Sequence, residues 1–428
     1  MANDLTSNIT RKVLRAFIIA IEKQRVLTKT VNTQTFQGKF NPSSGDYVDI
    51  KRPHQYKSSR TATGDISALS PNDIIAGKAT AQVQNYITVA IEWTNKEEAL
   101  ELDQLEEILR PAAEECITEL ETSFCDFMIT NAGLSTGTPG TAIDAWSDVA
   151  AQMSLMKSIG VPMGEIYSVM NPFTVQNLAS AQTGLSADPS RLVQTAWELA
   201  QISAPMFAGL RAISSNSLST WTSSDASDRS GTLSGDPDVT YLTHKDTMRQ
   251  TLPVTAFGAN ATIKRGDIVE FSGTGALARS YIHQKTRQPI FDGSGNFVPF
   301  RASVVADVTL GASGEGNIVV SGPAIYEAST QYNTINAAPV TGDVIDVLGA
   351  ADGIYQPALF YHKEAFAIAY VKLPKLYSTD TIAVTSDGLS IRCSKYSDGD
   401  KNEQKIRFDL LPAFACLNPF YAGKGFGY

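Results

Sequence analysis

The chain has 428 residues, 43% of them hydrophobic and 18% charged, which is enough to bury a sizeable core in two or three domains. Its formal net charge of −9 excludes a general nucleic-acid binder that coats phosphates with Lys and Arg. Cys116, Cys125, Cys393 and Cys416 form no metal-ligand spacing. Cys116 and Cys125 face different sides of one predicted helix, so core thiols in a reducing cytoplasm are expected.

The first residues are polar and carry no signal-peptide pattern. Residues 16–21 are apolar but far too few to span a membrane. Val13, Leu14, Phe17, Ile18 and Ile21 repeat at helical spacing and predict an amphipathic helix over residues 9–28. Residues 51–60 read Lys51-Arg52-Pro53-His54-Gln55-Tyr56-Lys57-Ser58-Ser59-Arg60. This basic, extended stretch has almost nothing to bury, and residues 53–72 lack a core-forming pattern, which marks a functional or disordered segment. Residues 86–93 are β-branched and aromatic and predict a strand. Asn95 with Glu98 fits a capping box. The segment after it is acidic, with Glu97, Glu98, Glu101, Asp103, Glu106 and Glu107. A basic arm beside an acidic surface can gain by reaching another copy of the same chain.

Leu105, Ile108, Leu109, Ala112, Cys116, Leu120, Phe124, Phe127 and Met128 repeat at three and four, the strongest periodic signal in the chain. Pro111 either kinks this helix or opens a new one at its first turn. Gly133 is the expected stop. Helices are predicted at 146–158, 172–181 and 192–199, and strands at 165–170 and 210–213. Ser, Thr, Asp and Gly crowd residues 214–238. Short strands then follow at 261–264, 267–271, 302–309, 317–321 and 343–348, the pattern of a small antiparallel barrel. Mixed character returns after Gly353.

Chemical motifs are sparse. Gly133-Leu134-Ser135-Thr136-Gly137 fits G-x-S-x-G, but a helix precedes it and a Gly/Pro loop follows, the wrong context for a nucleophile elbow. Gly273-Thr274-Gly275 loosely fits a dinucleotide fingerprint, yet no helix follows to hold a pyrophosphate. Asp398-Gly399-Asp400-Lys401-Asn402 begins like a calcium loop, but Glu403 stands where the sharp turn needs Gly, so a hairpin turn is expected. His54, His244, His283 and His362 are scattered and make no zinc pair. No catalytic residue, cofactor or metal site is therefore predicted.

Other segments, spread in order over the whole length, carry a resemblance: Gly45-Asp46-Tyr47-Val48, Lys51-Arg52-Pro53-His54-Gln55, Thr63-Gly64-Asp65-Ile66-Ser67, Gly77-Lys78-Ala79-Thr80, Asn85-Tyr86-Ile87-Thr88-Val89-Ala90 and Gln104-Leu105-Glu106-Glu107-Ile108-Leu109. Trp146-Ser147-Asp148-Val149-Ala150, Ala181-Gln182-Thr183-Gly184, Thr195-Ala196-Trp197-Glu198, Asp398-Gly399-Asp400 and Arg407-Phe408-Asp409-Leu410-Leu411-Pro412-Ala413 follow. The chain resembles the major capsid (coat) proteins of tailed double-stranded DNA bacteriophages, most of all the short-tailed branch with an inserted β-barrel. The barrel segment matches mainly around Lys264-Arg265-Gly266-Asp267-Ile268-Val269.

The resemblance implies an α+β chain of the Hong Kong-type tailed-phage capsid fold with an inserted antiparallel β-barrel domain. Its expected parts are an N-terminal arm (1–35), an extended β loop (36–90), a peripheral domain with a long spine helix (91–139), an axial domain (140–221), the barrel (222–350) and a return to the axial and peripheral domains (351–428). It also implies pentamers and hexamers of the chain in an icosahedral virion shell. Such a shell is assembled in the host bacterial cytoplasm as a procapsid with scaffolding and portal proteins, then expanded around packaged double-stranded DNA, with no membrane. Arg52, Lys57 and Arg60 are the expected inter-subunit contacts to Glu98, Glu101 and Glu106 of a neighbour. An encapsulin-like compartment shell shares the core fold and stays open. An α+β hydrolase with a β-rich appendage is the remaining rival and lacks a convergent nucleophile and base.

Overall fold

A computed structural model describes residues 25–40, 45–67, 71–94, 105–183, 202, 206–275, 278–377, 380–385 and 387–428. The amphipathic segment 9–24, the capping box at 95–98 and the helix predicted at 192–199 lie outside the described residues. The chain forms two compact units. One comprises Met1–Asp49, Thr80–Cys125 and Phe366–Cys416, the other Ile50–Ala79, Asp126–Ala365 and Leu417–Tyr428.

The long helix runs from Leu105 to Asn131 with Pro111 inside it, not at its first turn. Proline removes one i→i−4 hydrogen bond there and presses on the preceding turn. The predicted stripe is buried at Ala112, Cys116, Leu120, Phe124 and Met128. Phe124 packs edge-on to Phe366, with ring centroids 6.5 Å apart, and against Phe414 at 5.0 Å. Glu121, also buried, accepts from the backbone N–H groups of Leu27 (2.7 Å) and Thr28 (3.0 Å) and from the Thr28 hydroxyl (2.6 Å). Three donors thus satisfy the buried carboxyl, as burial requires of a polar group.

Two four-stranded sheets contain the flanking strands. One has the order Tyr47–Lys51, Lys78–Val83, Pro412–Cys416, Phe366–Tyr370. The other runs Thr381–Val384, Ser390–Asp398, Glu403–Leu410, Ile87–Thr94. In the second, Asp398 opposes Glu403 across the turn at 399–402, so the calcium-like segment is a hairpin end. Buried Asp409 accepts from Arg392, from Arg407 Nε at 2.6 Å and from the Thr88 hydroxyl at 2.8 Å. Burial opposes its charge, but these donors outweigh it and hold the carboxyl below its ordinary range.

A five-stranded sheet has the order Leu134–Thr136, Ala422–Gly425, Ala358–His362, Ile166–Met170, Arg211–Ser214. Its outer pairs are parallel and its inner pairs antiparallel. Ile166–Met170 is buried along its whole length, as suits a central strand covered on both faces. The helices Trp146–Ile159 and Pro172–Thr183 flank it in sequence.

Six strands close into a barrel in the order Ile268–Phe271, Arg301–Val304, Gly316–Ser321, Arg249–Thr255, Ser230–Leu233, Val344–Val347. Arg249–Thr255 alternates strictly, with Gln250, Leu252 and Val254 buried and Arg249 and Thr251 exposed. That is the two-residue period of a wall with one face in the core. The strand predicted over 302–309 is instead two. Arg301–Val304 belongs to the barrel, and Val308–Thr309 pairs with Thr262–Ile263 in a separate ribbon. The break falls where the Asp307 carboxylate accepts the Arg265 backbone N–H at 2.6 Å. On either side of the barrel strands in sequence, Trp221–Thr222 pairs antiparallel with Ile354–Tyr355, a two-stranded neck.

Candidate functional site

The basic stretch lies in the loop that joins Tyr47–Lys51 to Lys78–Val83. Residues 52–67 and 71–77 contain neither helix nor strand. The root of the loop is tied by Arg52. Its backbone N–H donates to the Gly77 carbonyl at 2.9 Å, its Nε to the Lys78 carbonyl at 2.9 Å, and its Nη1 to the Leu417 carbonyl. Further out, the Asn72 amide holds the Lys57 backbone from both sides. Asn72 Oδ1 accepts the Lys57 N–H at 3.0 Å, and Asn72 Nδ2 donates to the Lys57 carbonyl at 2.8 Å. One side-chain amide thus stands in for a strand partner, which satisfies polar backbone that has no ladder.

Of the basic residues expected to reach a neighbour, Lys57 and Arg60 are exposed on the outer loop, while Arg52 is half-buried and engaged within its own chain. Ile66 and Ile74 are exposed in the same loop. Glu98 and Glu101 lie outside the described residues. Glu106 lies in the helix Leu105–Asn131, and its side chain is outside the description.

A second constellation seats the barrel. The last carbonyls of the long helix have no intrahelical partner. Barrel side chains bond two carbonyls at this end: the Ser321 hydroxyl donates to that of Asn131 at 2.9 Å and the Ser303 hydroxyl to that of Ala132, just past the helix. Arg249 Nη2 reaches Asn131 Oδ1 at 3.2 Å, and Arg301 Nη1 reaches the Gly137 carbonyl at 2.7 Å. Gly133, the expected stop, follows the helix end at Asn131 but is not among the positive-φ glycines. Glycine is needed there because a Cβ would meet the Pro419 carbonyl at 2.9 Å. The helix therefore ends on serine hydroxyls and a close backbone approach rather than on a glycine cap.

At the neck, the turn residues 264–267 meet the C-terminal strand. Lys424 is fully buried, donates from Nζ to the Gly266 carbonyl at 2.6 Å, and stands 5.0 Å from the Trp221 ring centroid. Burial pushes its pKa down to about 7, against the attraction of Asp267. Asp267 is itself raised by burial, although Ser223, the Lys264 and Ser224 amides and Arg229 oppose that. Sequence reading missed Lys424 and met Asp267 only inside the barrel match. The available signal was one lysine in the Gly-rich apolar run Ala422-Gly423-Lys424-Gly425-Phe426.

The elements of catalysis do not converge among the described residues. Ser135 is buried in the strand Leu134–Thr136, with a helix before it and a turn after it. Both His244 ring nitrogens are committed to main-chain carbonyls, of Arg249 at 2.7 Å and Asp238 at 2.8 Å. No group of three or more His, Cys, Asp or Glu is placed to hold a metal among the described residues. No helix among them is long and apolar enough to cross a membrane.

A family model described as P22 coat protein, gene protein 5, matches residues 1–427. A major capsid protein of Acyrthosiphon pisum secondary endosymbiont phage 1 is 43% identical over 430 residues, covering 100% of both chains. Among solved structures, one of Mycobacterium phage Che8 is 13% identical with a TM-score of 0.47, covering 94% of this chain and 90% of that one. The capsid structure of the cyanophage P-SCSP1u is 10% identical with a TM-score of 0.44, covering 90% of this chain and 84% of that one.

Proposed function

We infer how this protein works from one premise: the chain belongs to the P22 coat protein family and is a phage major capsid protein. Copies of it build an icosahedral shell of pentamers and hexamers around double-stranded DNA. The shell forms first as a procapsid, with scaffolding and portal proteins, in the bacterial cytoplasm and then expands. The full-length family match is the observation that carries this reading.

The domain assignment follows the Hong Kong-type plan. Residues 1–35 act as the arm, 36–90 as the extended loop and 91–139 as the peripheral domain with its spine helix. Residues 140–221 form the axial domain and 222–350 an inserted barrel domain, with 351–428 returning to the core. The 27-residue helix and the paired neck at Trp221–Thr222 and Ile354–Tyr355 support it.

Lys57 and Arg60 pair with Glu98, Glu101 and Glu106 of a neighbouring subunit, while Arg52, bonded to the Lys78 and Leu417 carbonyls of its own chain, holds the loop's root. The exposure of Lys57 and Arg60 supports this assignment. Each exposed pair contributes only about 0.2–1 kcal/mol, but a closed lattice repeats it at every subunit. Purified chain examined by negative-stain microscopy should give uniform shells, and Arg60→Glu should reduce their yield, with partial recovery on reversing an acidic partner. Stable monomers from the unaltered chain would overturn the assembly reading. Normal assembly of Arg60→Glu would remove this contact alone.

A further inference from the structure

The loop between Tyr47–Lys51 and Lys78–Val83 is gripped by a part of the chain far away in sequence. Gln331 is buried, and its Nε2 donates to two carbonyls on opposite limbs of the loop, Gln55 and, at 2.9 Å, Asp73. Beside it, the Arg287 guanidinium spans carbonyls in three places. Nε donates to Thr330 at 2.7 Å, Nη1 to Lys285 at 2.6 Å, and Nη2 to both Gln331 and Tyr56 at 3.2 Å. Next to Gln331, the Tyr332 ring stacks on Tyr241 at 3.7 Å and 6°. Against this floor the loop comes so close that a Cβ on Gly77 would lie 2.7 Å from the Lys245 carbonyl and 3.1 Å from the Tyr241 hydroxyl. The Lys78 N–H donates to Asp246 Oδ1 at 3.2 Å.

The backbone at Arg287, and at Thr330 just before Gln331, is strained. Arg287 has φ 60° and Thr330 φ 58°. A β-branched residue in the left-handed region is a genuine outlier, and such outliers persist where the surroundings over-determine them and concentrate at functional devices. Here the two outliers are joined by the Arg287 Nε bond to the Thr330 carbonyl.

We propose that Gln331 and Arg287 form a clip that holds both limbs of the extended loop against its own subunit and so aims the loop before any neighbour is met. The proposal rests on the coat-protein reading only for what the loop is aimed at. A loop that must order at each interface charges its lost entropy to assembly, whereas a clipped base moves that cost into folding. The outer segment, residues 58–67, stays free to fit the partner. Arg287 and Gln331 are positioning residues in this scheme.

Hydrogen exchange by mass spectrometry, on full-length unassembled subunits, tests the clip without requiring a shell. In the unaltered chain, peptides holding the bonded amides of Arg52, Lys57 and Lys78 should exchange at least about tenfold more slowly than residues 58–67. Gln331→Ala and Arg287→Ala should each speed that base about tenfold and leave the barrel strand Gly316–Ser321 unchanged. A base that exchanges as fast as the tip in the unaltered chain, or that is unmoved in both variants, overturns the proposal. Should either variant also loosen the barrel, Gly77→Ala decides, because it wedges the loop from its own side. Faster base exchange over an unchanged barrel supports the clip, and an unchanged base refutes it.

Discussion

In the barrel, backbone groups pair strand to strand, whereas in the loop between Tyr47–Lys51 and Lys78–Val83 they pair with side-chain amides and a guanidinium. The barrel strands alternate buried Leu252 and Val254 with exposed Arg249 and Thr251, and their inner face closes on itself. The described residues of the loop form no comparable apolar face. Its order comes from Asn72, Gln331, Arg287 and Arg52, each bonded to main-chain carbonyls or amides. Hydrophobic burial stabilises by area and tolerates a lost polar contact. A polar clip contributes about 0.5–1.5 kcal/mol per bond and can be opened locally. The contrast teaches a division of labour, with a fixed body and a segment that is aimed but yields at its tip.

The comparison breaks most visibly in the barrel core. Phe300 is buried against Phe271 at 5.9 Å and Tyr281 at 4.9 Å. Phe300→Ala should cost about 3–5 kcal/mol in urea unfolding of the subunit. Asp343→Ala should cost a similar ~3–5 kcal/mol, because it strands buried Arg279, now bound at 2.7 and 3.0 Å.

Lys424 sharpens the comparison through pH. Its folded pKa of about 7 lies below the ~10.4 of an unfolded lysine. Between those values the unfolded chain binds the extra proton, so stability falls as pH is lowered from about 10.4 to about 7 and then levels. Lys424→Met should remove that part of the slope, read as urea midpoints across pH 7 to 10.

Ser303→Ala leaves the Ala132 carbonyl at the helix end without its donor, and should cost about 1 kcal/mol. The smallest effect on the subunit belongs to the loop tip. Arg60→Glu should change subunit stability by less than about 0.5 kcal/mol, while lowering shell yield. A large loss of subunit stability in Arg60→Glu would erase the distinction between body and tip.

The sequence made the body readable wherever one period dominated. The long helix is visible in Ala112, Cys116, Leu120, Phe124 and Met128, and the strand Ile87–Thr94 in its β-branched run. Two barrel strands, Ser230–Leu233 and Arg249–Thr255, were not expected, because Ser, Thr, Asp and Gly around the first read as turn. In the second, the alternation of Gln250, Leu252 and Val254 was present and went unused. Gly133 was legible as the helix stop, but the close approach of Pro419 that excludes a side chain there leaves no local signature. The loop's basic charge could be read, whereas its clip could not. Gln331 and Asp73 lie 258 positions apart, and no periodicity links a side-chain amide to a distant carbonyl.

The most direct test is a cryo-electron microscopy reconstruction of assembled particles at a resolution that places side chains. The account predicts a closed icosahedral shell in which residues 57–67 of each subunit lie on a neighbour, with Lys57 or Arg60 within ion-pair distance of Glu98, Glu101 or Glu106. A loop tip lying wholly on its own subunit, or turned into solvent in every copy, would contradict it.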